Sequence, residues 1–286
     1  MSPSLIGTLA LFIAALLYGS QNIATRITGI SFGPFLSTSL RALVVVLVLI
    51  WFVKWKKVEG KHWKWFILRA LGNVIATTGI FVAVNKMSVG AALFSFYAGL
   101  ILSGGVFGAL FYKEKVTMVK VVALILTAIG LLFIYSYQSA LVFNWYFVIA
   151  VIGGIGGSLW SVFSRPISKT YSLPQLVVLD SLMVVVMAAT ISFLLHESWQ
   201  TVQIDTRLAG VFYLGLTQVF TGQLVARGFK TVDAQVGSMI LLNDSVVGML
   251  LAFIIFHEVA PLMVIIGGMC VFLSTIIPAV LEHKKS

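Results

Sequence analysis

Ten apolar runs follow one another along the chain, at roughly 5–26, 33–53, 66–84, 89–111, 117–136, 145–165, 174–195, 208–228, 232–256 and 260–281. A helix needs about 20 residues to cross the hydrocarbon core of a bilayer, and each run has about that length. Only the gaps at 54–65, 137–144 and 196–207 are longer than a handful of residues, so no independent soluble domain fits between the runs. The pattern predicts an all-α polytopic membrane protein with ten transmembrane helices. The first run, Leu5 to Ile23, has no basic stretch before it and ends in Tyr-Gly-Ser-Gln-Asn instead of a small-residue cleavage site. It is therefore expected to remain as a helix and not to be removed as a leader.

Composition agrees with this reading. Of 286 residues, 60% are hydrophobic and only 10% charged, with a mean hydropathy of +1.07. A soluble domain would carry about 25% charged residues. The net charge of +10 would suggest nucleic acid in a soluble protein. Here the basic residues sit in short loops, where they set orientation instead, and no nucleic-acid partner is expected. With the N-terminus inside, 15 of the 19 Lys and Arg fall on the inner side, leaving Arg26, Arg41, Lys86 and Arg207 in the outer half. That bias places both termini in the cytoplasm and the protein in the cytoplasmic (inner) membrane. The lone Cys270 excludes an intrachain disulfide and a cysteine-based metal site.

The runs also repeat. Lys86 to Glu114 and Lys230 to Glu258 match in length and hydropathy at an offset of 144, with Lys, Gly and Glu identical at Lys86/Lys230, Gly104/Gly248 and Glu114/Glu258. Pro34 precedes the second run and Pro174 the seventh, while Arg26 closes the first and Arg165 the sixth. Residues 1–136 and 145–281 thus read as two halves of five helices joined by the linker 137–144. Five is odd, so the second half must insert upside down relative to the first, giving inverted-topology repeats. Gly99, Ser103, Gly104, Gly105 and Gly108 in the fourth run, and Gly153, Gly154, Gly156 and Gly157 in the sixth, predict close helix contacts.

Asp244 carries the strongest chemical signal. It lies twelve residues into the run 232–256, near the expected midplane, beside Asn243. A charge at that depth costs about 2.5–3.5 kcal/mol on insertion scales, so a partner or a function should offset it. The readings are a contact to a substrate cation, a proton site, or a structural pair with Arg41 or a backbone group. Arg41 and Asp180 each lie about two turns from a helix start, where snorkelling or structural pairing is expected. Arg26 with Glu258, and Arg165 with Glu114, lie at opposite helix ends and suggest two symmetry-related gate pairs; four independent interfacial charges are the other reading. The histidines, His62, His196, His257 and His283, all fall near loops, and no H-E-x-x-H, P-loop or G-x-S-x-G motif occurs. No enzyme, cofactor or metal site is expected, although His196-Glu197 and His257-Glu258 are both placed on the outer side.

Two five-helix halves with a glutamate closing the fourth and ninth helices resemble the drug/metabolite transporter superfamily, its EamA-like branch in particular. The residues that carry the resemblance are Tyr18-Gly-Ser-Gln-Asn through Arg26, Glu114 followed by Thr117 and Gly130, and Glu258 followed by Gly267 or Gly268. Tyr18 stands where many relatives have tryptophan, and neither the fourth nor the ninth run has the mid-helix proline common among them. The resemblance implies a solute carrier with a central cavity lined by helices 1, 3, 4, 6, 8 and 9 and no ATPase part. On those helices the polar and aromatic groups available to orient a solute are Tyr18, Gln21, Asn22, Asn73, Thr77, Tyr97, Ser158, Trp160, Gln218 and Gln223. The expected partners are a small-molecule solute, membrane lipid and, as an open coupling ion, protons.

The expected function is a secondary transporter moving a small polar or amphipathic metabolite by alternating access, with export of an amino acid or related compound as the default. Organic-cation uptake or drug efflux is the alternative within that class. A non-transporting membrane scaffold or an intramembrane enzyme is the alternative outside it.

Overall fold

The computed structural model describes residues 3–29, 32–112, 118–138, 144–168, 170–199, 206–228, 231, 240–241 and 243–283. Among these residues there are ten α-helices: α1 Pro3–Thr28, α2 Pro34–Leu49, α3 Trp63–Lys86, α4 Val89–Tyr112, α5 Met118–Gln138, α6 Trp145–Ser168, α7 Leu173–Leu194, α8 Thr206–Gly228, α9 Asn243–Phe256 and α10 Leu262–His283. Seven helices are long and apolar enough to cross a membrane; α5, α9 and α10 contribute shorter apolar stretches, Val121–Phe133, Asn243–Phe256 and Leu262–Ser274. Of the expected ninth run, residues 240–241 are helical too, and 232–239 and 242 lie outside the described residues.

The boundaries have local causes. Pro34 and Pro174 sit in the first turn of α2 and α7, where a missing N–H costs nothing. The helix α3 starts at Trp63, three residues before the apolar run, because the Trp63-Lys64-Trp65 segment contains no helix breaker. The apolar run marks the part suited to hydrocarbon, whereas the helix continues to the next breaker.

Two helix exits share one device. After α7 and α9 the chain passes through His196 and His257, both with φ 54°, and then places a glutamate against the start of another helix. Glu197 accepts hydrogen bonds from the Phe35 and Leu36 amides at 3.2 and 2.7 Å, and Glu258 accepts one from the Val89 amide at 3.1 Å. Helix N-termini present unsatisfied N–H groups and partial positive charge, so a carboxylate there satisfies both. These contacts hold the two His-Glu pairs apart, on α2 and α4. Gly33, at φ 75°, lies so close to the Glu197 carboxyl that a side chain there would collide with it.

Packing interlocks the halves of the chain. The helix α6 lies between α3 and α4, α1 lies between α8 and α9, α2 packs on α7 and on α8, α3 packs on α7, and α5 packs on α10. Glycines permit the closest crossings. A Cβ on Gly79 of α3 would stand 2.7 Å from the Gly153 Cα of α6, and one on Gly154 would strike the Phe96 carbonyl of α4. Without a hydrophobic drive between helices in lipid, such backbone contact supplies the packing energy. The flanks are apolar, with Phe193, Leu132, Phe220 and Leu250 exposed, while Gln21, Thr38, Arg69, Asp180 and Asp244 are buried inside. This distribution is the reverse of a soluble domain and suits a lipid surround.

Candidate functional site

Asp244 is buried, 5% exposed, where α9 crosses α1 and faces α4. The Tyr97 hydroxyl of α4 donates to one carboxylate oxygen, and the Ser245 hydroxyl donates to the other at 3.1 Å. Neither Arg41 nor any other basic side chain among the described residues forms an ion pair with it. Tyr97 and Ser245 also line a cavity of about 230 Å³, whose remaining walls are apolar: Phe94, Met249, Met269 and Phe272 among them. A buried carboxyl thus sits behind two hydroxyls at the polar corner of an apolar chamber. Val246 and Met269, on the rim, are exposed on the flank of the bundle.

Tyr18 lies beside Thr221 of α8 and within electrostatic reach of both Arg41 and Asp244. Arg41 donates from Nη2 to the Gln21 side-chain oxygen at 3.1 Å. Asn22 turns back to the Tyr18 carbonyl at 3.2 Å and faces Gly248 of α9, while Asn243 donates to the Ile240 carbonyl at 2.9 Å. These two amides occupy helix contacts. Ser158 is buried against Gly104, and Gln218 is half-buried on α8, with its carbonyl accepting from Thr221.

A second buried carboxylate gathers the other expected solute ligands. Asp180 of α7 accepts from the Asn73 amide at 2.8 Å and from the Trp160 indole at 3.1 Å. The Arg69 Nε approaches the other oxygen to 3.6 Å, both side chains being 4% exposed, and the guanidinium lies 5.0 Å from the Trp160 ring centre. Thr77 donates to the Asn73 oxygen at 3.0 Å, extending the network. Asn73, Thr77 and Trp160 therefore meet around Asp180, away from Asp244. The sequence reading counted Arg69 among the orienting charges and did not pair it with Asp180. The available signal was an opposite charge in another apolar run, within about a turn of the end expected to face inward.

At the helix ends, Arg26 of α1 donates to Glu258, whose second oxygen holds the start of α4. The Arg26 guanidinium also stands 5.0 Å from the Phe256 ring centre. Beside the pair lies a polar cavity of about 390 Å³, lined by Arg26, Asn85, Lys86, Ser88 and Glu258. The structure thus ties three helices together at this end. Glu114 and the Arg165 side chain lie outside the described residues.

Comparison with known proteins adds a family match over the first part of the chain and a fold. Residues 5–136 match the EamA-like transporter family. No curated protein matches the chain. A solved structure, described only as a crystal structure of a protein, aligns over 98% of this chain and 98% of its own, at 18% identity and a TM-score of 0.65. At that identity the likeness concerns the fold alone.

Proposed function

We propose, from the match of residues 5–136 to the EamA-like transporter family, that the protein is a secondary carrier moving a small polar or amphipathic metabolite by alternating access. The ten helices are read as ten spans in two inverted halves, α1–α5 and α6–α10. Their packing supports this, because the neighbours exchange when every helix is replaced by its counterpart five places along. The arrangement of α6 between α3 and α4 becomes α1 between α8 and α9, and α2 against α8 becomes α7 against α3. The pairs α2–α7 and α5–α10 map onto themselves. Such a relation suits two halves that rock about a shared centre. Arg26 and Glu258 serve as the latch at one end, with Arg165 and Glu114 proposed for the other.

The observation that carries the reading is Asp244, a buried carboxyl with no ion-pair partner among the described residues, bonded to the Tyr97 and Ser245 that line a chamber. A charged group on the solute would supply that cation, and a transported proton would neutralise it instead. An amine fits, and export of an amino acid or related compound is the first choice. The apolar walls Phe94, Met249, Met269 and Phe272 favour, as a second reading, an organic cation or drug with a hydrophobic body. The test is flux into liposomes containing only this protein, with labelled amino acids and organic cations, with and without a pH gradient. Transport should fall at least tenfold in Asp244→Asn. An absence of flux across the whole panel would favour a non-transporting scaffold and overturn the proposal.

A further inference from the structure

The two halves place a charged residue at one equivalent position and treat it differently. Arg26 and Arg165, Gln21 and Trp160, and Arg41 and Asp180 are each separated by 139 positions. In the second half, Trp160 of α6 donates to Asp180 of α7 at 3.1 Å; in the first, Arg41 of α2 donates to Gln21 of α1 at 3.1 Å. The same helix pairing thus carries the same link in both halves, with the charge reversed. In the second half α3 completes the site by bringing Arg69 and Asn73 to the carboxylate. The counterpart helix α8 brings no acid to Arg41, and no ion pair forms there among the described residues.

Two donors are left over at that place. Among the described residues, the Arg41 Nε and the Gln21 Nε2 are both buried with no hydrogen-bond partner, and Gln21 is only 5% exposed. Their orientation is fixed, because the Gln21 oxygen is already taken by Arg41 and only its NH2 group remains. Buried donors without acceptors are rare and costly, and a guanidinium without a counter-ion more so. A planar fork beside an amide NH2 matches the two oxygens of a carboxylate. Tyr18 is within electrostatic reach of both Arg41 and Asp244.

We propose that Arg41 and Gln21 form an anion subsite that receives the carboxylate of the transported solute. The inference rests on the carrier reading and narrows its substrate: the solute bears a carboxylate, and an amine at Asp244 would make it zwitterionic. A neutral amine or a bare organic cation would leave the Arg41 charge unanswered.

The test is thermal stabilisation of the purified full-length protein, since a ligand that binds the folded state raises its melting temperature. The probes are the twenty protein amino acids with their amides, together with phenethylamine and 3-phenylpropionate. At least one amino acid should stabilise the wild type, with its amide weaker by roughly ten- to hundred-fold in apparent affinity, the range for a lost charged hydrogen bond. Arg41→Gln should lose that discrimination while keeping any response to phenethylamine, and Gln21→Leu should weaken it in a protein whose charge is unchanged. Equal binding of acid and amide by the wild type overturns the subsite without recourse to any variant. So does a panel in which no carboxylate stabilises it. If phenethylamine acts through Asp244 while no carboxylate acts, the carrier reading stands and the subsite falls. If carboxylates bind through Arg41 but no flux follows in liposomes, the subsite stands and the carrier reading falls.

Discussion

Asp180 and Asp244 are both buried acids on apolar helices, yet they are held in opposite ways. Asp180 is enclosed by Arg69, Asn73 and Trp160: one oxygen accepts from Asn73 and Trp160, and Arg69 stands 3.6 Å from the other, so its charge is met from within the chain. Asp244 has two hydroxyls and, among the described residues, no cation. Burial alone therefore does not mark a functional residue. What separates the two is whether a cation from the described residues meets the group, and the one left without is bonded to Tyr97 and Ser245, which line a cavity. Asp180 joins α3, α6 and α7, and Asp244 is the acid that we propose meets the solute.

Removing each acid should produce different losses. The largest effect is expected at Asp180→Ala, which strands Arg69 in the bundle. Breaking one side of a buried pair costs roughly 3–5 kcal/mol, so yield and melting temperature in detergent should fall sharply. If Asp180→Ala melts like the wild type, Asp180 does not hold the three helices together. Asp244→Asn keeps the shape and the hydrogen-bonding oxygen, so it should melt at or above the wild-type temperature while transport falls. A comparable loss of stability in Asp244→Asn would erase the contrast between the two acids.

The latch pair gives a smaller, reciprocal effect. Arg26→Glu should impair transport, and adding Glu258→Arg should restore part of it; the pair is partly exposed, so a coupling of about 1 kcal/mol is expected from a double-mutant cycle. No rescue would mean the two charges act independently. The smallest effect is expected at Glu197→Gln. It weakens the carboxylate seat under the start of α2, at a cost of about 1 kcal/mol read as a lower melting temperature, with the transport rate unchanged.

Much of the architecture was legible one helix at a time. Lipid demands about 20 apolar residues per crossing, and breakers such as Pro34 and Pro174 mark where a helix can begin. Asp244 was legible because a charge in the middle of an apolar run needs a reason. Its partner Tyr97 was named only as one of ten polar and aromatic candidates, and Ser245 not at all, since neither residue is unusual in its own helix. Asn73, Thr77 and Trp160 were read as facing a solute because they sit on helices expected to line a cavity. Helix rotation brings Asn73 and Trp160 onto Asp180, with Thr77 on the Asn73 oxygen.

The sequence by itself determined that this is a helical membrane protein with a costly acid in one of its later apolar runs. Those properties are one-dimensional: hydropathy, run length and spacing follow from what each segment can place in lipid. Only the tertiary structure decided which charges are answered. It joined Arg69 to Asp180 and Arg26 to Glu258, and it left Arg41 and Asp244 without a counter-ion among the described residues. The reason is that charge pairing depends on how packed helices are rotated and crossed. That rotation is fixed by glycine contacts between helices, such as Gly79 on Gly153, and not by any helix alone.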